Sequence, residues 1–147
     1  MRTVIQRVTR ASVTVEEKIV SSIKDGLLVL VGVEDVDTDD DIEYLTSKIV
    51  NLRIFNDENG VMNKSILDVG GEILSISQFT LQASTKDGNR PSYINAMKGE
   101  EAVKLYEEYN KKLNEKVKTY PGVFGAEMKV SITNDGPITI IIDSKNK

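Results

Sequence analysis

The run Gly26-Leu27-Leu28-Val29-Leu30-Val31-Gly32-Val33 decides the fold. It carries no charge and no polar alternation, so it reads as a strand buried on both faces, in the interior of a covered sheet. Upstream, residues 2 to 23 alternate and are rich in Val, Ile and Thr. That pattern predicts two or three strands, with turns near Arg10-Ala11 and Glu16-Glu17-Lys18. Downstream, Ile42, Leu45, Ile49 and Leu52 recur at spacings of three and four, which predicts a helix over roughly 39 to 52. Asp39, Asp40 and Asp41 fall in its first turn, where the helix dipole favours negative charge. Asp37, Asp39 and Asp41 also have the alternate spacing of a calcium loop. The position needing Gly is Ile42, however, and the one needing a bidentate Glu is Lys48, so the stretch reads as a solvated helix start.

Further along, Asn56-Asp57-Glu58-Asn59-Gly60 is a turn, and Gly70-Gly71 opens a strand expected to run from Glu72 through Ala83. After a loop from Ser84 to Pro91, a second helix is expected over roughly 92 to 118, with a possible break at Gly99. Val103, Tyr106, Asn110, Leu113 and Val117 would share its inner side. Lys111, Lys112, Lys116 and Lys118 suit its negative pole better than they indicate a phosphate site. Two last strands, about 126 to 133 and 138 to 143, flank Asn134-Asp135-Gly136-Pro137. No repeat or linker interrupts residues 1 to 147. The expectation is therefore one α/β domain of the α+β type: a mixed, mostly antiparallel β-sheet or barrel-like roll with two main helices. Strands come in runs, which argues against a doubly wound sheet.

The absent residue types restrict the chemistry. With no cysteine and no histidine, disulfides, thiolate nucleophiles, thiolate-bound metals and every Ser-His-Asp or Cys-His arrangement are excluded. An enzyme built from this chain must use carboxylates, hydroxyls, amides, backbone groups or groups on its substrate, and no cofactor or metal is expected. No apolar run approaches the ~20 residues of a membrane-spanning helix, and Met1 to Arg10 does not read as a secretory signal, so a cytoplasmic location is expected. The net charge of −4 argues against nucleic acid only superficially. Residues 34 to 43 hold seven acids and no base, and the remainder carries 19 basic against 16 acidic residues. A protein gripping only an RNA terminus needs few phosphate contacts.

Two short segments carry the functional reading. By alternation alone, Ser77-Gln78-Phe79-Thr80 is a half-buried strand with Phe79 and Leu81 toward the core, and Asn134-Asp135-Gly136-Pro137 is an ordinary turn. Together they resemble the two signatures of the D-aminoacyl-tRNA deacylase family. Ser77 to Leu81 match its Ser-Gln-Phe-Thr-Leu segment, and Asn134, Gly136, Pro137 and Thr139 match its Asn-x-Gly-Pro-(Val/Phe)-Thr segment. Ile138 stands where Val or Phe is usual, a mild departure that keeps the position apolar. The opening Met1-Arg2-Thr3-Val4-Ile5-Gln6-Arg7-Val8 and Gly88-Asn89-Arg90-Pro91-Ser92 are similar to the family as well, so the likeness spans nearly the whole chain.

The resemblance implies a homodimer with active sites at the subunit interface, removing D-amino acids, and also glycine, from the 3′-terminal adenosine of tRNA. It implies a cis Gly136-Pro137 bond whose carbonyls reach into the partner's pocket as a chirality gate. Ser77, Gln78, Phe79 and Thr80 would line the site, and Arg7 would contribute to substrate binding. An aminoacyl ester is activated enough to need only an oriented water and donors for the developing oxyanion, with the neighbouring ribose hydroxyl assisting. Thr80 as nucleophile would need a base that the sequence does not assure. The competing expectations are a non-catalytic nucleic-acid-binding module, with Arg2, Arg7, Arg10, Lys86 and Arg90 on phosphates, and a purely structural dimer.

Overall fold

A computed structural model describes residues 1–147 and shows strand β1 (Arg2–Val15) as the axis of the fold. The other strands are β2 (Lys18–Ile23), β3 (Gly26–Gly32), β4 (Phe55–Asn56), β5 (Met62–Lys64), β6 (Glu72–Ser77), β7 (Thr119–Pro121) and β8 (Lys129–Asp143). The helices are α1 (Asp39–Asn51), the single turn α2 (Ile66–Val69) and α3 (Gly99–Asn114), with a 3-10 turn over Phe79–Gln82. The main sheet runs β2-β1-β3-β6-β7, and β8 pairs with β1 as well. All three pairings of β1 are antiparallel, whereas β3–β6 and β6–β7 are parallel. Strand β2 curls back far enough for Ser21 Oγ to donate to Pro121 O at 2.7 Å, so the sheet nearly closes into the expected barrel-like roll.

Strand β3 is buried on both faces, as its composition predicts. Leu27, Val29 and Val31 join the larger core with Ile42, Leu45 and Ile49 of α1 and Tyr106, Tyr109 and Leu113 of α3. Leu28 turns the other way, into a smaller core inside the roll with Val8, Val13, Leu74 and Ile76. Each fully buried Leu or Ile contributes roughly 1.5–3 kcal/mol, which makes β3 the best-anchored strand. At the start of α1 the Asp41 carboxylate accepts the Thr38 N–H at 2.8 Å. It also accepts Ser144 Oγ at 2.6 Å and Lys145 Nζ at 2.9 Å, tying the helix to the segment after β8. Burial pushes the Asp41 carboxyl up, but these donors outweigh it and hold the group well below the ordinary range. Asp37 takes the buried Met1 ammonium at 2.5 Å and the Glu34 N–H at 2.7 Å, so neither acid is arranged for calcium.

Several expectations are corrected. No turn occurs at Arg10-Ala11: β1 runs straight through, because Ala11 to Thr14 are paired to β2 on one side and β8 on the other. The reversal comes at Glu16 and Glu17, both at positive φ. The strand expected to reach Ala83 ends at Ser77. Its partner β3 ends at Gly32, the last ladder-type bond is Gln78 N–H to Val31 O at 2.7 Å, and the chain then coils over the strand end. Gly32 permits this approach, since a Cβ there would lie 2.9 Å from Gln78 O. The coil inverts the expected faces: Phe79 is 54% exposed, while Gln82 is 5% exposed and donates Nε2 to Gly32 O at 2.9 Å.

The second helix begins at Gly99 and not near 92, because residues 92 to 97 are bonded elsewhere, Ser92 to Ser84 and Met97 N–H to Val33 O. It ends at Asn114, and its inner side is Ala102, Tyr106, Tyr109 and Leu113, with Val103 and Asn110 only half-buried. Finally, Asn134 to Pro137 is not a hairpin turn. Both flanking segments pair with β1, so β8 is one strand carrying a large bulge: from Gln6↔Thr139 to Val8↔Asn134, β1 advances two residues while β8 advances five.

Candidate active site

A cleft of about 210 Å³ opens where β6 ends and the 3-10 turn begins. Ser77, Gln78 and Phe79 form one wall. Phe124, Met128 and Val130 form the other, over a floor that includes Ile76 and Ala102. No acid, lysine or arginine side chain lines it. The first bond of the turn is Leu81 N–H to Gln78 O at 3.2 Å. The turn itself therefore leaves the N–H groups of Phe79 and Thr80 without acceptors, as at any helical start. Gln78 Nε2 donates to Thr80 Oγ1. The Phe79 ring meets Tyr93 edge-on at 5.0 Å, which stiffens the exposed rim.

Two supports hold the walls. Tyr106, on the inner side of α3, donates its hydroxyl to Ser75 O at 2.8 Å, and Gly122 N–H reaches the same oxygen at 2.9 Å. Burial pushes the Tyr106 phenol up, so it stays a neutral donor. Its ring also packs on Phe124, at 5.7 Å between centroids, linking both walls to one side chain. From the other side, Arg2 in β1 donates Nη1 to Leu81 O at 2.7 Å and pairs with Asp143 at 2.9 Å, fixing the 3-10 turn against β1 and β8.

The expected site residues divide into two groups. Ser77, Gln78 and Phe79 line the cleft, and Thr80 adjoins it through Gln78 without lining it. Gly136, Pro137 and Arg7 lie apart from the cleft of their own chain. The Gly136-Pro137 bond is cis and both residues are exposed on the bulge of β8. Gly136 sits at φ +118°, and a Cβ there would fall 2.7 Å from Ile138 Cγ1, so only glycine fits without strain. Arg7 is buried, with Nη1 donating to Ile54 O at 2.8 Å and Nε 3.2 Å from the Asp135 carboxylate. That Nε contact is a charge pairing without hydrogen-bond alignment. Arg7 thus makes its contacts within its own chain, to Ile54 and to the bulge. Phe124, Met128 and Val130 of the far wall carry no mark in the sequence, because scattered apolar residues are indistinguishable from core until the chain folds.

Fold and cleft together define a small α+β domain with a histidine-free cleft of mostly apolar side chains, one carboxamide and one hydroxyl and, apart from it, an exposed, glycine-dependent bulge. A profile of the D-Tyr-tRNA(Tyr) deacylase family matches residues 4–143. The chain is 60% identical to a D-aminoacyl-tRNA deacylase of Flavobacterium psychrophilum, over all of this chain and 99% of that one. It is 58% identical to one of Bacillus velezensis, over 99% of each. Among solved structures, that of a c-Myc DNA Unwinding Element Binding Protein is similar with a TM-score of 0.93 and 44% identity, covering 97% of this chain and 98% of that one. A probable eukaryotic D-amino acid tRNA deacylase shares the fold at a TM-score of 0.82 and 16% identity, over 96% and 97%. The chain belongs to the D-Tyr-tRNA(Tyr) deacylase family.

Proposed function

We propose that this chain hydrolyses the ester between a D-amino acid and the 3′-terminal adenosine of tRNA in the cytoplasm, releasing D-amino acid and tRNA, and that it accepts glycyl-tRNA while rejecting L-aminoacyl-tRNA. The observation that carries this reading, beside family membership, is a cleft walled by neutral groups, with the Ser77-Gln78-Phe79 segment on one side and no acid, lysine or arginine among its lining. Such a site suits an ester already activated as a leaving group. Water oxygen attacks the ester carbonyl carbon, the bond to the ribose 3′ oxygen breaks, and the proton from water ends on that oxygen. The Phe79 N–H, left without an acceptor by the turn, is suited to the developing oxyanion, and the adjacent ribose hydroxyl to relaying the proton. Thr80 receives a hydrogen bond from Gln78 and has no base beside it, which argues against a covalent intermediate.

In this reading the bulge with Gly136 and Pro137 is the chirality gate. It does not line the cleft of its own chain, so it serves a second copy, and the working unit is a homodimer with sites at the interface. Incubation of the purified protein with D-tyrosyl-, L-tyrosyl- and glycyl-tRNA tests the reading. Loss of the D-tyrosyl and glycyl esters with the L-tyrosyl ester intact is expected, and D-ester decay no faster than in buffer refutes it.

One observation favours a second reading, a nucleic-acid-binding module without catalysis: the similar structure at 44% identity is that of a protein named for binding a DNA element. Of the five basic residues such a module would use, Arg2 and Arg7 are committed inside the chain. Arg10, Lys86 and Arg90 remain exposed. Three such contacts to a single strand give log K a slope of about −2 against log salt. Retention of tRNA with that slope and no ester loss would favour the module.

A further inference from the structure

We infer that Asn134 is the positioning residue of the gate, a side chain that fixes the shape of the bulge without touching substrate. The inference rests on the reading of Gly136 and Pro137 as the gate. Where β8 leaves the ladder, Arg7 has no partner on β8, and the backbone oxygens facing the gap need donors from elsewhere. Asn134 supplies them. One hydrogen of its amide goes to Arg7 O at 2.9 Å, across to β1, and the other to Ile138 O at 3.0 Å, across the mouth of the bulge. Its Oδ1 faces Gln6 Nε2 at 3.4 Å and Thr139 Oγ1 at 3.5 Å. Both donors and the acceptor of the carboxamide are thereby engaged, a pattern that only an amide side chain of this length meets at this place.

The clamp closes a ring around Asp135, Gly136 and Pro137, all exposed. Their one other side-chain tie is the contact from Arg7 to Asp135. A gate made of main-chain carbonyls discriminates only if those carbonyls stand still, since a wall that yields admits both hands of the amino acid. Asn134 sits half-buried at the edge of the sheet, outside both hydrophobic cores. Its loss therefore reshapes the bulge more than it weakens the fold.

The test measures kcat/KM for D- and L-tyrosyl-tRNA in the full-length protein and in Asn134→Ala and Asn134→Asp, with melting midpoints as the check on folding. The aspartate keeps size and acceptors but turns negative charge toward two carbonyls, so it serves if the alanine variant folds poorly. Both should lower the D-over-L ratio about ten- to hundredfold, the effect of losing one or two hydrogen bonds that hold reacting geometry. A uniform loss on both substrates with an unchanged ratio would assign Asn134 a merely structural role and overturn the inference. Gly136→Ala, measured alongside, separates the two levels. If it narrows the ratio while the Asn134 variants do not, the gate stands and the clamp falls. If neither changes the ratio, or the unaltered protein shows no D preference, the gate reading fails and takes the clamp with it.

Discussion

Replacing Arg7 by Met distinguishes the internal contacts the structure gives this residue from the substrate contact the family resemblance implies. Methionine fills similar volume but donates nothing, so Ile54 O, buried with its residue, loses the donor now 2.8 Å away. An unsatisfied buried carbonyl costs about 1–3 kcal/mol. The pairing with Asp135, whose side chain is 47% exposed, adds at most ~1 kcal/mol because solvent screens it. For a domain of this length a loss of about 1 kcal/mol moves the melting midpoint by roughly 3 °C, so the midpoint should fall by roughly 3–12 °C. Asp135→Asn removes only the screened pairing and should cost no more than ~3 °C. Differential scanning calorimetry of both variants, with kinetics on D-tyrosyl-tRNA at two salt concentrations, reads the difference. An Arg7→Met protein that melts unchanged, with a raised KM that loses its salt dependence, would mean that Arg7 reaches RNA and that the bulge is held by something else.

Thr80→Ala should retain substantial hydrolysis, since the cleft provides no base to activate the hydroxyl; a fall approaching the ~10⁶-fold typical of a removed nucleophile would restore covalent catalysis. A D-aminoacyl-tRNA ending in 2′-deoxyadenosine, acylated on the 3′ oxygen, should bind normally and react far more slowly, and equal rates would remove the ribose hydroxyl from the mechanism. Tyr106→Phe leaves Ser75 O with the Gly122 N–H alone, so urea denaturation should show a loss of ~0.5–1.5 kcal/mol, and no loss would mean that the phenol does not brace the cleft. Asp41 is held below its ordinary 3.8, so the stability it contributes is present above that value and is lost as pH falls below it. Ser144→Ala should therefore be less stable than the parent at about pH 7, with the gap closing once acid protonates Asp41. A gap constant down to about pH 2 would exclude that linkage.

What could be read before folding followed from periodicity. The doubly buried β3 and the three-and-four spacing in α1 depend on burial alone, and burial leaves its record in composition. The misread elements share a different cause: each is settled by a partner strand far away in the chain. Strand β6 stops because β3 stops beside it, and Phe79 turns outward for the same reason. Strand β8 is unbroken because β1 pairs with it on both sides of Gly136 and Pro137, a contact that Asn-Asp-Gly-Pro conceals by imitating a hairpin. Ser77 to Phe79 could be assigned to the cleft from the family resemblance. The far wall, from Phe124 to Val130, could not, since those residues became a site only when α3 and β7 carried them beside β6.

Strand β1 links these parts into a device. Arg2 holds the 3-10 turn through Leu81 O, and Arg7 holds Asp135. Arg7 O accepts from the Asn134 amide, while Gln6 Nε2 donates to its oxygen. Because β1 is hydrogen-bonded to β3 and to β8, the turn with the free amides and the bulge with Gly136 are fixed to one rigid frame, although they serve different sites in the proposed dimer. A site without histidine or cysteine cannot adjust its reactivity through the pKa of those catalytic side chains. Its remaining means of control is the placement of neutral donors and carbonyls, for which errors of about 1 Å are costly. The resembling segments at Met1 to Val8, Ser77 to Leu81 and Asn134 to Thr139 are the places where that placement is made. Arg2, Gln6, Arg7 and Asn134 among them fasten the backbone geometry on which it depends.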